Sequence, residues 1–139
     1  MSISELATRK LVTAAPKDSL TKVANLMERE NVGAVVVTQE NRPVGIVTDR
    51  DLTMAVCVHG TSPKEHVQSV MTCPVSTIGK DDGVYDATQK LMEQAVRRLP
   101  VIDENGDAIG LVSLDDLLLL LSRELQNMAE GIKVEAAIG

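Results

Sequence analysis

The segment Gly45-Ile-Val-Thr-Asp-Arg-Asp-Leu52 returns 65 residues later as Gly110-Leu-Val-Ser-Leu-Asp-Asp-Leu117. At the same offset Leu26-Met27-Glu28 falls on Leu91-Met92-Glu93, and Val36-Val37 falls on Val101-Ile102, with no gap. Self-similarity at one period marks a duplicated supersecondary unit. A chain of 139 residues has room for two such units packed as one compact body.

Period and punctuation give the order inside each unit. In the first, a short strand over 11–13 closes at Pro16, and Asp18 or Ser19 caps a helix running to about Asn31. Gly33 ends that helix, and the apolar run 34–37 reads as a buried strand. A turn at 40–42 leads to a strand over 44–47, after which Thr48 caps a helix to about Val58. The second unit repeats this as a strand over 75–78, a helix over 84–95, strands over 99–102 and 108–112, and a last helix from Ser113. Asn105-Gly106 is a strong hairpin turn. Between the units, Ser62-Pro63-Lys64-Glu65 has the form of a capping box opening a short helix.

Composition excludes several classes of function. With one Tyr and no Trp or Phe, the core is aliphatic and bases have no aromatic platform to stack on. A net charge of −6 without a basic stripe argues against nucleic acid. The N-terminus lacks the apolar stretch of a signal peptide. The longest apolar run, 117–121, is far short of the roughly 20 residues of a membrane span. These features together point to the cytoplasm. Cys57 and Cys73 lack metal spacing and read as reduced thiols, Cys57 as a small buried hydrophobe. His59 falls near a helix end and His66 on the linker surface, so no metal site is expected. No nucleophile elbow, phosphate loop or His-Glu-x-x-His motif is present, and the chain is not expected to be an enzyme.

Three segments carry a family resemblance: Val70-Met71-Thr72-Cys73-Pro74-Val75, Arg98-Leu99-Pro100-Val101-Ile102-Asp103, and the two Gly-x-x-Thr/Ser-x-x-Asp repeats. In this order and duplicated, they resemble the tandem CBS-domain pair, or Bateman module, over almost the whole chain. The resemblance implies a mixed α+β or α/β fold of two β-α-β-β-α repeats, packed sheet to sheet about a pseudo-twofold axis with two clefts. It divides the chain into repeat 1 (3–60), a linker with a short helix (61–72), repeat 2 (73–125) and a C-terminal helical extension or tail (126–139). The chain looks like a stand-alone member, a regulatory sensor whose output passes to a partner protein. AMP, ADP or ATP is the implied regulatory ligand, with S-adenosylmethionine or NAD as secondary candidates and no obligatory cofactor.

The resemblance also implies roles for individual residues. Asp51 and Asp116 would accept hydrogen bonds from ribose hydroxyls, and Thr48 and Ser113 would contact ribose or phosphate. The same Thr/Ser-x-x-Asp pattern is equally a helix capping box that needs no ligand. Arg97 and Arg98 would hold phosphate, with Arg98 matching the basic position of nucleotide-binding relatives. At the 65-residue offset Val32-Gly33 stands in their place in repeat 1, so unequal sites are expected, with Arg50 as partial compensation. Thr13 and Thr77 are ribose or phosphate contacts or ordinary strand residues, and Val35, Val47, Pro100 and Val112 would wall the adenine or simply fill the core. The rival to the sensor is an interaction or oligomerisation module that binds no nucleotide.

The final helix is apolar all round at 117–121 and keeps apolar residues at helical spacing through Leu125 and Met128. A homodimer through this surface is expected, with the segment after Met128 either frayed or exchanged between copies.

Overall fold

The structure, a computed structural model, describes residues 2–6 and 11–138. Its elements are α1 (Ile3–Leu6), β1 (Thr13–Ala14), α2 (Leu20–Glu30), β2 (Ala34–Gln39), β3 (Arg42–Thr48) and α3 (Asp49–Thr53), the last continued by a π-helical turn at Met54–Val58. A single 3-10 turn at Val67–Ser69 leads to β4 (Ile78–Gly79), α4 (Val84–Gln94), β5 (Arg98–Ile102), β6 (Ala108–Ser113) and α5 (Leu114–Ile138). They form two three-stranded sheets, β1-β2-β3 and β4-β5-β6, each with a parallel outer pair and an antiparallel hairpin.

Each helix begins and ends where local chemistry dictates. Ser19 Oγ accepts the Lys22 amide at 3.1 Å to start α2, and Asn31 in the left-handed region (φ 53°) ends it, two residues before Gly33. Ala95 (φ 53°) closes α4 in the same way. On α2 the buried residues are Leu20, Val23 and Met27, and on α4 they are Ala87 and Leu91, so each helix lays one stripe on its sheet. Beneath α2 lie Val35, Val37 and Val47, and beneath α4 lie Leu99, Val101 and Val112. Val36 and Pro100 are also buried but point to the opposite sheet face, outside both helix-side clusters. Burial on both faces is what two sheets packed against one another require.

The repeat is not gapless. The structural equivalents Asn31 and Ala95, Met27 and Leu91, and Val37 and Val101 lie 64 residues apart, whereas Gly45 and Gly110 lie 65 apart. Val37 pairs with Gly45 and Val101 with Gly110, so the second hairpin holds one extra residue. The first turns tightly at Glu40-Asn41, both at positive φ. The second loops through Asp103–Asp107, where Asp103 Oδ1 accepts the Asn105 and Asp107 amides. The match of Leu26-Met27-Glu28 with Leu91-Met92-Glu93 is therefore a coincidence one residue out of register. The residues standing where Arg97-Arg98 stand are Gly33-Ala34, not Val32-Gly33.

The two units also exchange their leading segments. Ile3, fully buried, sits in the core of the second unit with Ile78, Leu99 and Leu117, and its amide donates to Asp82 O at 2.9 Å. Val67 plays the matching part in the first unit, its amide donating to Asp18 O at 2.8 Å. Those bonds hold His66 extended against Ser19, so the linker's short helix does not open at the Ser62–Glu65 box and is instead the 3-10 turn Val67–Ser69. Ser62 instead closes a turn, with Oγ accepting the Lys64 amide at 3.2 Å.

Past this turn the linker runs along the edge of β3. Thr72 and Ile46 exchange backbone hydrogen bonds of 2.9 and 3.2 Å. Met71 lies over Gly45, where a Cβ would come within 2.4 Å of its Sδ and 2.8 Å of its Cγ. Gly45→Ala is therefore expected to displace the flexible Met71 side chain from its seat over β3 and cost on the order of 1 kcal/mol. Chemical denaturation of the variant measures this, and an unchanged midpoint would contradict it.

Two further expectations are corrected. Cys57 is exposed, because Leu52 and Ala55 set the buried side of this helical stretch and Cys57 falls on the other. The segment after Met128 is not frayed but helical, as α5 continues to Ile138.

Candidate functional site

Folding the linker onto β3 builds a cavity of about 520 Å³ between the units. One wall comes from Ile46 and residues 48–51 of the first unit, another from Thr72 and residues 74–76, and the third from Gln94, Val96, Arg97 and Arg98 of the second unit. Thr48 and Asp51 therefore face Arg97 and Arg98 across the inter-unit boundary. Arg50 joins them, so three guanidinium groups and the carboxylates of Asp49 and Asp51 share one space in a chain of net charge −6.

At the start of α3 the capping box is complete. Thr48 Oγ1 accepts the Asp51 amide at 3.2 Å, and Asp51 Oδ2 accepts the Thr48 amide at 2.9 Å. Ser113 and Asp116 repeat it at the start of α5, with both bonds at 3.1 Å. Each cap uses one carboxylate oxygen, Oδ2, so the pattern serves the helix by itself, and Oδ1 of Asp51 takes no part in its cap. The capping and ligand roles of Asp51 are geometrically compatible.

Arg97 is paired at the rim with Asp115, Nη2 to Oδ1 at 3.3 Å, both side chains largely exposed. Such an exposed pair contributes little to stability and holds the guanidinium only weakly, leaving it able to turn toward the cavity. In the first unit the corresponding positions are Gly33 and Arg50. A Cβ on Gly33 would sit in ordinary van der Waals contact with the Asp49 carboxylate, 3.4 Å from Oδ2.

A second cavity of about 340 Å³ occupies the pseudo-symmetric position, lined by Val12, residues 31–34, Arg98 and Leu111. Here Gly33 and Ala34 replace the arginine pair, and among the described lining residues Arg98, which borders both spaces, supplies the guanidinium. Ser113 and Asp116 line neither cavity.

The other candidate residues lie elsewhere. Val35, Val47 and Val112 are fully buried under the helices, and Pro100 faces the inter-sheet side. Thr13 borders a larger open groove of about 790 Å³ along α2 and also a cavity of about 420 Å³ shared with Thr38 and Asn41 of the first unit and Asp103, Asp107 and Ile109 of the second. In that groove burial raises the Asp18 carboxyl, but the Ala15 amide and the hydrogen bond and charge of Lys22 outweigh it and leave it below its ordinary value. Thr77 is half-buried beside the first cavity, its carbonyl accepting from Lys90 Nζ. Asp49, Thr72, Val75, Ser76, Gln94 and Val96 line the cavity and were missed as site residues. The signal for some of them was the 70–75 motif, whose placement against Thr48 depends on the linker pairing with β3.

Among the described residues no group of His, Cys, Asp and Glu is placed to hold a metal, and no helix is long and apolar enough to cross a membrane.

Comparisons with known proteins agree with this architecture. The family model for the CBS domain matches twice, over residues 3–57 and 67–123. An uncharacterised protein of Methanopyrus kandleri, MK0525, is 35% identical over 120 residues, covering 85% of this chain and 61% of its own length. The CBS domain-containing protein YhcV of Bacillus subtilis is 30% identical over 116 residues, covering 84% of this chain and 82% of its own. An inosine-5'-monophosphate dehydrogenase of Methanocaldococcus jannaschii is 30% identical over 115 residues, which cover 82% of this chain and 22% of that enzyme. Among solved structures, the CBS domain protein PAE2072 from Pyrobaculum aerophilum, complexed with AMP, superposes with a TM-score of 0.77 at 26% identity, covering 88% of this chain and 99% of its own. The CBS domain pair of MJ0100, with 5'-methylthioadenosine and S-adenosyl-L-methionine, gives a TM-score of 0.78 at 22% identity, covering 89% and 98%, a likeness of fold. By its duplicated sequence, its paired sheets and these matches, the chain belongs to the CBS domain family, as a tandem pair.

Proposed function

We propose that this chain is a regulatory module that binds AMP, or ADP or ATP, in the 520 Å³ cavity between its two CBS repeats. The observation that carries this reading is the convergence of Arg50, Arg97 and Arg98 with Thr48 and Asp51 from opposite units on one space. Guanidinium groups hold phosphate oxygens, while a carboxylate suits a ribose diol and repels phosphate, so the set orients a nucleotide as well as binding it. AMP bound to PAE2072 supports the adenine assignment. The adenine would be read largely by main-chain groups, since the aliphatic walls carry no base-specific side chain. Among the described residues lining it, the second cavity has one guanidinium, that of Arg98, and this set suits a ligand with less negative charge, such as an adenosyl compound without phosphate.

A ligand touching both units favours the inter-unit geometry in which all its contacts are made. A partner protein reads that geometry, with a coupling of typically about 1–3 kcal/mol. The reading places the module in the cytoplasm and assigns it no catalysis.

The rival is an interaction module without nucleotide, in which the two complete caps serve only their helices. Thermal unfolding against AMP, ADP, ATP, S-adenosylmethionine, NAD and GTP separates the two. AMP at 100 times its dissociation constant is expected to add about 2.7 kcal/mol, a clear rise in melting temperature absent with GTP. An identical curve with every ligand would leave the rival standing.

A further inference from the structure

Three guanidinium groups share the inter-unit cavity, and among the described residues one of them, Arg97, is tied to a carboxylate. Its partner Asp115 stands in the first turn of α5 and lies outside the cavity lining. The Arg97 carbonyl accepts the Leu114 amide at 2.8 Å, which fixes the main chain of Arg97 beside the start of α5. Only the side chain is left to move. With 65% of Arg97 and 67% of Asp115 exposed, the ion pair is weak enough to exchange. A freed Asp115 is not stranded, because the dipole of α5 stabilises a carboxylate in its first turn.

The duplication shows that this carboxylate is not part of the shared scaffold. In the first unit the counterpart of Asp115 is Arg50, and the counterpart of Arg97 is Gly33. The ion pair therefore has no equivalent there, although the capping boxes of Thr48 with Asp51 and Ser113 with Asp116 are common to both units. Asp115 also alters the charge balance of the cavity. Arg50, Arg97 and Arg98 outnumber the carboxylates of Asp49 and Asp51, and Asp115 at the rim cancels the excess.

We infer that Asp115 is a specificity-determining residue of this cavity, occupying the Arg97 guanidinium in place of a phosphate so that an anionic ligand must displace it. The inference rests on the reading of the cavity as a nucleotide site. A guanidinium presents the same fork of N–H groups to carboxylate and to phosphate, so the two anions compete for Arg97. The competition acts on phosphorylated ligands, most strongly on those with the most negative charge, and leaves an uncharged nucleoside untouched. Asp115 thereby holds down the affinity for polyphosphates and narrows the advantage of a nucleotide over its nucleoside.

Isothermal titration of AMP, ATP and adenosine into the wild type, Asp115→Asn, Arg97→Gln and the double variant tests this, at low salt so that exposed charges are little screened. Asp115→Asn is expected to bind AMP about two- to fivefold more tightly, ATP by a larger factor, and adenosine as the wild type does. In the Arg97→Gln background the same substitution is expected to leave AMP affinity nearly unchanged, because Asp115 acts through that guanidinium. Melting curves confirm that all four proteins are folded at the titration temperature. An AMP affinity unmoved by Asp115→Asn, an equal gain for adenosine, or a gain that persists undiminished without Arg97 would overturn the inference and leave the nucleotide site standing. Failure of every one of the four proteins to bind AMP would overturn both.

Discussion

Asp51→Ala is expected to weaken AMP binding at least tenfold, while Asp116→Ala leaves it nearly unchanged, although the two substitutions destabilise the fold about equally. Both carboxylates accept the amide that closes a capping box, at 2.9 and 3.1 Å, and losing such a cap costs about 1 kcal/mol. The melting temperatures of the two variants should therefore fall together. Only Asp51 shares a cavity with Arg50, Arg97 and Arg98. Hydrogen bonds to a charged group contribute about 1.5–3 kcal/mol, so losing the ribose contacts reduces affinity by a factor of roughly 10–100. Isothermal titration at a temperature where both variants are folded separates cap from ligand. Arg98→Gln in the same assay should lower affinity for AMP more than for adenosine, because the lost group serves the phosphate. Equal losses in Asp51→Ala and Asp116→Ala would mean that the cation-rich cavity is not the nucleotide site.

Leu117→Ala is expected to cost about 2–5 kcal/mol, the largest stability effect of any single substitution considered. The side chain is 1% exposed and packs with Ile3, Ile78, Leu99 and Val112. It is also the one buried residue of α5, so its truncation leaves a cavity and loosens that helix at its anchor in the core. Against a total of about 5–15 kcal/mol for a typical domain, the loss lowers the melting temperature by roughly 10 °C. Its counterpart Leu52, 8% exposed in the first unit, is expected to cost less, because Ala55 and the linker residues Val67 and Met71 also hold that segment. Thermal denaturation of both variants tests the order, and a larger loss at Leu52 would contradict the anchoring role of Leu117.

Much of the fold was legible in the sequence because its determinants are local. Ser19, Thr48 and Ser113 cap helices by reaching an amide three residues on, a distance fixed by helix geometry. The apolar runs at 34–37 and 99–102 mark strands buried on both faces, and the Gly-x-x-Thr/Ser-x-x-Asp segments mark the strand-to-helix junctions. The duplication itself required two like sheets.

Tertiary structure decided what spacing could not. The extra residue in the second hairpin changes the offset between repeats from 64 to 65 within a unit, and a gapless reading misplaces the counterpart of Arg97 by one. Ile3 and Val67 close each other's units because the buried site for each lies under the opposite helix pair. Above all, the cavity takes its carboxylate from one unit and its guanidinium pair from the other. Side chains 46 residues apart in Asp51 and Arg97 meet only because two sheets pack face to face, and that packing is a nonlocal balance of buried apolar area that local sequence pattern does not encode.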